Sequence, residues 1–203
     1  MINAILFDLN GVLIDSEGLN VEVWEKVYSN YSLSFSEELY MKCIDGRTTT
    51  EIARELVEKE KILEFVQLKD RIWYDLFQER GVTVFEDTVP FLQKLKKRGI
   101  KTAVITSSRK ARYILEYLNI AQYFDAIIGG GDIVCGKPNP EIVLKAMELL
   151  GVEKTEVALV EDSVAGLEAG KRAGVYCIAI KRNEKNDLDK YDQLIHSLNE
   201  IVL

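Results

Sequence analysis

Apolar and polar residues follow two different patterns along this chain of 203 residues. Residues 3–8 form a nearly continuous apolar run that is typical of a buried strand and ends at Asp8. From Ser16 to about Arg80, apolar residues recur at intervals of three and four, which is the spacing of amphipathic helices. The pattern predicts one buried strand followed by a block of about four helices.

Beyond Gly81, predicted strands and helices alternate. We predict strands at residues 102–106, 126–128, 157–160 and 175–180, helices at residues 88–97, 109–118, 140–150 and 163–173, and a last amphipathic helix from about Leu188. Such alternation favours a parallel sheet with right-handed crossover helices on both faces. The predicted fold class is therefore α/β, a Rossmann-like doubly wound parallel sheet.

The helical block interrupts this α/β pattern after its first strand. We interpret it as an inserted all-helical cap domain of residues 16–81, on an α/β core of residues 1–15 and 82–203. The predicted hinges lie near residues 14–16 and 81–85. The alternative is that these helices simply pack on the sheet.

Composition narrows the classes of partner and compartment. The net charge is −7 and no basic block occurs, which disfavours nucleic acid as a partner. Three widely spaced cysteines and one histidine favour a reduced, cytoplasmic protein over a disulfide framework or a zinc site. No apolar stretch approaches the roughly 18 residues of a membrane span, so we expect no membrane association. We expect a monomer or a homodimer.

Polar clusters follow four of the predicted core elements. They are Asp8, Thr106-Ser107-Ser108, Lys137 within Gly136-Lys137-Pro138, and Glu161-Asp162. In a doubly wound sheet, the carboxyl ends of the strands lie along one edge, so these groups should converge. A carboxylate nucleophile, hydroxyls, an ammonium group and an acidic pair that prefers Mg²⁺ suit phosphoryl transfer. Each cluster alone would be read as an ordinary turn or helix cap.

The residues around Asp8 also resemble a known motif. Phe-Asp-Leu-Asn-Gly-Val-Leu, residues 7–13, is similar to the first motif of the haloacid dehalogenase superfamily, in its phosphatase and β-phosphoglucomutase branch. The resemblance implies that Asp8 is the nucleophile and that Thr106 binds the transferring phosphoryl group. It also implies that Lys137 balances the negative charges of Asp8 and of the phosphoryl group. Gly11, Ser107 and Ser108 are expected to bind the substrate.

The same resemblance implies a Mg²⁺ site. Val160-Glu161-Asp162-Ser163 resembles the fourth motif of the family. By that likeness, Asp162, Asp8 and the backbone carbonyl of Asn10 would bind the metal, and Glu161 would assist directly or through water.

One loop of the predicted cap resembles the family's substrate-facing loop. It is the run Asp45-Gly46-Arg47-Thr48-Thr49. Arg47 could pair with a second phosphate or a carboxylate of the substrate. The alternative is that Arg47 is a solvated loop residue while Thr48 or Thr49 caps the next helix, with Glu51 in its first turn.

Asn10 departs from the family pattern, which has an aspartate at this position. In the family that aspartate protonates the leaving group and then activates water, and an amide can do neither. General acid–base assistance contributes roughly 10²–10⁴ in rate, so we expect slow turnover. Asn10 is either a replacement that traps a bound state, which we favour because the other motifs are intact, or the native residue of a ligand-binding protein.

Three functions remain for comparison. The first is a Mg²⁺-dependent phosphatase that hydrolyses a small phosphorylated metabolite through an aspartyl-phosphate. The second is a β-phosphoglucomutase-like mutase, which is disfavoured because that relative carries a histidine near the position of Asn20. The third is a non-catalytic protein that binds a phosphorylated ligand. A dehalogenase is disfavoured by the acidic pair Glu161-Asp162.

Overall fold

The computed structural model describes residues 2–44, 46–182 and 188–202. The strands are β1 (Ala4–Phe7), β2 (Ile14–Asp15), β3 (Thr83–Val84), β4 (Lys101–Ile105), β5 (Ala126–Ile128), β6 (Val157–Glu161), β7 (Tyr176–Ile180) and β8 (Gln193–Ile195). The α-helices are α1 (Glu17–Asn30), α2 (Glu37–Leu39), α3 (Thr49–Leu56), α4 (Ile62–Arg80), α5 (Thr88–Lys97), α6 (Ala111–Tyr117), α7 (Glu141–Leu150) and α8 (Val164–Ala173). A π-helix (Tyr40–Ile44) continues α2, and short 3₁₀ turns cover Lys59–Lys61, Ala121–Tyr123, Lys154–Glu156 and Leu198–Glu200.

Six strands form one parallel sheet in the order β5-β4-β1-β6-β7-β8. Alternate residues of β1 face opposite sides, because Ile5 and Phe7 join one hydrophobic cluster and Ala4 and Leu6 join the other. Helices α5 and α6 cover the first side, and α7 and α8 cover the second. The predicted doubly wound, Rossmann-like α/β fold is confirmed.

The central place of β1 decides where a ligand can bind. Chain order reverses at β1, since β4 lies on one side of it and β6 on the other. Open α/β sheets bind ligands outside the carboxyl ends of the strands at such a switch point. Asp8 follows β1 directly and therefore lies at this position.

The inserted segment is helical, as predicted. Helices α1 and α3 pack on α4, and Trp24 and Phe65 contact each other within this layer at a ring-centroid distance of 6.2 Å. Helix α4 also contacts the core, since the ring centroids of Phe77 in α4 and Tyr117 in α6 are 5.0 Å apart. An inserted helical cap is confirmed, and the boundary at residues 16–81 stays a prediction.

A small antiparallel ribbon lies at the two predicted hinges. Strand β2 pairs with β3, with Ile14 opposite Val84. Behind it, Arg182 donates two hydrogen bonds to Asp87, at 2.7 and 2.9 Å, and one to the carbonyl of Val12. The ribbon and this ion pair join the loop after β1 to the segment that leaves the cap.

The predicted helix from Leu188 is wrong. Within residues 188–202, the chain forms strand β8 and a 3₁₀ turn at Leu198–Glu200, and residues 183–187 lie outside the described part. Strand β8 pairs with β7, and the carboxylate of Asp192 accepts a hydrogen bond from the backbone of Cys177. Ile195, Leu198 and Ile201 are buried. Their three-residue spacing imitates a helix, but parallel pairing with β7 determines the structure.

Within the described residues, every helix is too short or too polar to cross a bilayer.

Candidate active site

Asp8, Lys137 and Glu161 form a buried ionic triad at the carboxyl edge of the sheet. The ammonium Nζ of Lys137 donates to Oδ1 of Asp8 at 2.6 Å and to the carboxylate of Glu161. The side chain of Lys137 is 1% exposed and that of Glu161 is 0% exposed. A buried cation between two carboxylates is stabilised only because its charge is neutralised and its protons are bonded.

Glu161 is the fixed support of this triad. Its Oε2 accepts hydrogen bonds from the backbone amides of Asp162 and Ser163, each at 2.8 Å, and from the Ser163 hydroxyl at 3.0 Å. Those amides lead into the N-terminus of α8, where the helix dipole favours negative charge. Both oxygens of Glu161 thus already accept hydrogen bonds from protein groups. Its predicted part in binding the metal stays a prediction, whereas its contact with Lys137 is direct.

The environment changes the acidity of the triad. Burial, partly opposed by Lys137 and reinforced by Glu161, raises the pKa of Asp8 to about 6. Burial alone would lower the pKa of Lys137, but the charges of Asp8 and Glu161 and the hydrogen bonds to them raise it above its usual value. Lys137 is therefore a permanent cation next to the candidate nucleophile.

The predicted hydroxyl cluster lies beside the triad. Thr106 is fully buried directly after β4, and the neighbouring carbonyl of Ile105 accepts a 3.3 Å hydrogen bond from Lys137. The backbone amide of Ser108 donates to the Thr106 hydroxyl at 3.2 Å. Ser107 and Ser108 line a cavity between the core and the cap. Their phosphoryl-binding roles stay predictions.

Asp162 lies next to the loop that follows β1. Its carboxylate packs directly on Gly11, where an added Cβ would overlap Oδ2 of Asp162. Among the described residues, no three His, Cys, Asp or Glu side chains are grouped closely enough to hold a metal ion. A set of two carboxylates, Asp8 and Asp162, with the Asn10 carbonyl supplies only oxygen donors. That chemistry fits Mg²⁺, which commonly keeps several waters and takes one or two carboxylates.

Asn10 is held by a short polar chain. The Ser16 hydroxyl donates to Oδ1 of Asn10 at 2.8 Å, and Nδ2 of Asn20 donates to the Ser16 hydroxyl at 3.3 Å. The backbone amide of Asn10 also donates to the carboxylate of Asp8. The side chain at this position is thus oriented by the first turn of α1.

Two cavities meet at Asn10, Asn20 and Tyr40. The first, of about 160 Å³, also contacts the acidic residues Asp15, Glu17 and Asp162. The second, of about 60 Å³, is lined by Asn10, Asn20, Trp24, Tyr40, Ile44, Gly46, Arg47, Thr49, Lys69, Trp73, Ser107 and Ser108. Lys181 and Arg182 also border the first cavity, so acidic and basic side chains line it together, whereas the charged side chains of the second cavity, Arg47 and Lys69, are both basic. Cations and hydroxyls are the groups that bind anions.

Arg47 lines the second cavity, but its guanidinium group also has partners within the cap. It donates to the carboxylate of Glu55, at 3.1 Å from Nη1 to Oε2, and to the carbonyl of Cys43 at 2.9 Å. Thr48 caps α3 together with Glu51, as the alternative from sequence had it. Direct contact between Arg47 and a substrate stays a prediction. Asp45 lies outside the described residues.

Sequence reasoning missed the cap lysine at this site. Lys69 of α4 lines the second cavity, with Nζ 5.9 Å from the ring centroid of Trp24. Burial, opposed by Asp70 and reinforced by Lys110, lowers the pKa of Lys69 to about 8. Along α4, Lys69 looks like one more charged residue on a helix face, so only the packing of α4 against α1 identifies it.

Comparisons with known proteins identify the family of this chain. Residues 5–180 match the family model described as haloacid dehalogenase-like hydrolase. A phosphorylated carbohydrates phosphatase from Thermotoga maritima is 31% identical over 207 residues, covering 97% of this chain and 87% of that protein. A phosphoglycolate phosphatase from Aquifex aeolicus is 36% identical over 192 residues, covering 84% of this chain and 81% of that protein.

A solved structure shows the same fold. A β-phosphoglucomutase from Clostridium difficile superimposes with a TM-score of 0.89 at 23% identity, covering 100% of this chain and 94% of that one. At this identity the likeness concerns the fold alone. The family model, whose match over residues 5–180 includes the cap and all the candidate site residues, carries the assignment. The chain therefore belongs to the haloacid dehalogenase-like hydrolases, the superfamily that its motifs predicted.

Proposed function

We propose that this protein is a Mg²⁺-dependent phosphatase that acts on a small phosphorylated metabolite, with Asp8 as its nucleophile. The coarser part, an enzyme that hydrolyses phosphoric monoesters, is confirmed by the family and by the phosphatases among its relatives. The observation that carries the assignment of Asp8 is the 2.6 Å contact between its carboxylate and the buried ammonium of Lys137.

In the first step, a carboxylate oxygen of Asp8 attacks phosphorus and the bond to the leaving alkoxide breaks. The product is an aspartyl-phosphate on Asp8, and the alkoxide must take up a proton. Lys137 offsets the negative charge that gathers around the phosphorus, because it stays protonated. Thr106, which is buried directly after β4, and Ser107, which lines the second cavity, would donate hydrogen bonds to phosphoryl oxygens.

Asp8, Asp162 and the backbone carbonyl of Asn10 would hold Mg²⁺. When bound there, the metal would supply positive charge to the phosphoryl oxygens. Asp162 is kept beside this position by its contact with Gly11.

In the second step, water attacks phosphorus and releases Asp8. Proton transfer limits both steps in this chain, because the amide of Asn10 is neither an acid nor a base at neutral pH. An aspartate at position 10 would accept the same hydrogen bond from Ser16 that Asn10 accepts now. The substitution Asn10→Asp therefore adds an acid–base group without changing the size of the side chain.

The substrate class follows from the second cavity. This cavity is small, about 60 Å³, and lies between the core and the cap. We expect the cap to move away from the core to admit a substrate, and cap closure then excludes water. Lys69 and Arg47 on the cap side favour a metabolite with a second anionic or strongly polar group.

The test compares this chain with Asn10→Asp on a panel of phosphorylated metabolites with Mg²⁺, measuring released phosphate. We expect Asn10→Asp to raise the rate by roughly 10²-fold or more. The matched control is Asn30→Asp at the exposed end of α1, which should leave the rate unchanged. An equal rate in Asn10→Asp and the parent chain would refute the acid–base account.

Two other functions give distinct outcomes in the same assay. A mutase would convert β-glucose 1-phosphate into glucose 6-phosphate rather than free phosphate. A non-catalytic protein would bind phosphorylated ligands in calorimetry and stay inactive after Asn10→Asp. The cytoplasmic location and the monomeric or homodimeric state stay predictions from the sequence.

A further inference from the structure

A hydrogen bond joins the cap to the loop that carries Lys137. Glu51, in the first turn of α3, accepts from the backbone amide of Gly136 through Oε1 at 2.9 Å. Gly136 belongs to the core, in the segment between β5 and α7. The two residues are 85 positions apart along the chain, so this contact exists only while the cap is seated on the core.

The other oxygen of Glu51 is used inside the cap. Oε2 accepts from the backbone amide of Thr48 at 3.1 Å, and the Thr48 hydroxyl accepts from the backbone amide of Glu51 at 3.3 Å, as in an ordinary capping box; that hydroxyl also lies 2.7 Å from Oε2. Such a motif needs the glutamate only for its own helix. Here the carboxylate is fixed by α3 and then reaches across to the core.

The contact between cap and core is too close for a side chain at Gly136. A Cβ placed on Gly136 would overlap Oε2 of Glu51 and lie 2.7 Å from Cγ2 of Thr48. On the cap side, a Cβ on Gly46 would lie 2.9 Å from the Ser163 hydroxyl oxygen. The cap loop thus touches both core segments that support the triad, the one before Lys137 and the one after Glu161.

Gly136 directly precedes Lys137, whose ammonium contacts Asp8 at 2.6 Å. A hydrogen bond to the Gly136 amide therefore fixes the backbone from which Lys137 extends. We propose that Glu51 is a positioning residue for catalysis: when the cap closes, its carboxylate binds the Gly136 amide and aligns Lys137 against Asp8. This inference rests on the proposed function, because it makes cap closure and alignment of the lysine one event.

The first measurement concerns the contact and needs no substrate. Hydrogen exchange of the Gly136 amide is followed by NMR in the parent chain, in Glu51→Ala and in Glu51→Gln. We expect slow exchange in the parent, faster exchange in Glu51→Ala, and retained protection in Glu51→Gln, which keeps a carbonyl acceptor. Ser36→Ala is the matched control. It removes the N-terminal capping hydrogen bond of α2, from the Leu39 amide to the Ser36 hydroxyl, which lies within the cap domain. Equal exchange of Gly136 in the parent and in Glu51→Ala would overturn the proposal.

The second measurement concerns catalysis, with each variant made on Asn10→Asp. Glu51→Ala and Gly136→Ala should lower kcat by roughly tenfold to a hundredfold with a smaller change in KM, because small misplacements of catalytic groups are costly. Glu51→Gln should restore kcat to within a few-fold, and Ser36→Ala should leave it unchanged. Gly136→Ala tests the same closure without removing any polar group.

The outcomes separate the two proposals. If Glu51→Ala frees the Gly136 amide but leaves kcat unchanged, the positioning role is wrong. If Glu51→Ala and Ser36→Ala lower kcat equally, Glu51 is only a helix cap and the inference also fails. If Asn10→Asp turns over no phosphorylated substrate, the proposed function fails. Protection of the Gly136 amide from exchange that still requires Glu51 would then support the contact between cap and core, but not its role in catalysis.

Discussion

Charged side chains are buried at the carboxyl edge of the sheet but partly exposed on the cap face, the side of the cap that lines the second cavity. At the sheet edge, the side chains of Lys137 and Glu161 are 1% and 0% exposed and bind each other. On the cap face, the side chain of Arg47 is 25% exposed and its partner Glu55 is 61% exposed. The first group of charges is fixed by burial, whereas the second is in contact with solvent and can be rearranged.

This difference assigns different tasks to the two regions. A buried charge without its partner strongly destabilises the folded protein, so the three residues of the triad depend on one another for both identity and position. Half-exposed charges contribute little to stability and can exchange partners when a ligand arrives. We therefore expect the sheet edge to carry the proposed chemistry and the cap face to determine selectivity for the substrate.

The largest expected effect is on the triad. Lys137→Met leaves Asp8 and Glu161 as neighbouring buried carboxylates, so we expect the free energy of unfolding to fall by about 3–5 kcal/mol. Denaturant unfolding at pH 7 measures this. The control Lys26→Met, on a side chain that is 50% exposed, should cost far less.

A double substitution sharpens the same point. Lys137→Met with Glu161→Gln should regain part of the lost stability, because one uncompensated charge is removed. If Lys137→Met is no more destabilising than Lys26→Met, the sheet edge is not held together by its buried charges.

The next effect concerns the junction of the two regions at Asp87. Burial alone would raise the pKa of Asp87, but hydrogen bonds from Arg182, Ser197 and Leu198 hold it below its usual value. The stabilisation is therefore complete above the ordinary carboxyl pKa of about 3.9 and is lost as the pH falls below it. We expect Asp87→Asn to cost roughly 1.5–3 kcal/mol at pH 7, the range for hydrogen bonds to a charged group, and progressively less between pH 4 and pH 2.

Unfolding of the parent chain and Asp87→Asn across this pH range measures the difference. Asp75→Asn, at an exposed position of α4, is the control and should follow the parent. A cost of Asp87→Asn that does not shrink in acid would contradict a role for the Asp87 charge.

The smallest effect is expected on the cap face. Lys69 loses its charge as the pH rises through about 8, the pKa to which burial lowers it. On the Asn10→Asp background, KM for an anionic substrate should therefore rise above pH 8. Lys69→Met should raise KM roughly five- to tenfold at pH 7 and remove this pH dependence, with little change in stability. If KM depends on pH in the same way in Asn10→Asp with and without Lys69→Met, Lys69 does not bind the substrate.

Much of the sheet edge could be predicted from the sequence because its determinants are local. An apolar run that ends in Asp8 identifies both a buried strand and the place where its carboxylate emerges. The same holds for Ile105 before Thr106 and for Val160 before Glu161. Parallel strands then bring the ends together without further information.

The remaining features depend on distant parts of the chain. The apolar spacing after Leu188 fits a helix, but Ile195 is fixed by pairing with β7. Glu51 reads as a helix cap, and only its position opposite Gly136 reveals a second partner. Lys69 faces the cavity because α4 packs against α1. Hydrophobic periodicity describes each segment alone, so it does not predict contacts between segments.

The central claim is that the phosphoryl group passes through Asp8. The most direct test stops Asn10→Asp with acid during turnover, reduces the protein with borohydride and analyses the tryptic peptide of residues 1–26 by mass spectrometry. Reduction converts an acyl phosphate into an alcohol, so the account predicts homoserine at the position of Asp8, only when substrate and Mg²⁺ are present, and no such product in Asp8→Asn. Rapid phosphate release with an unmodified Asp8, or with the modification at another carboxylate, would contradict it.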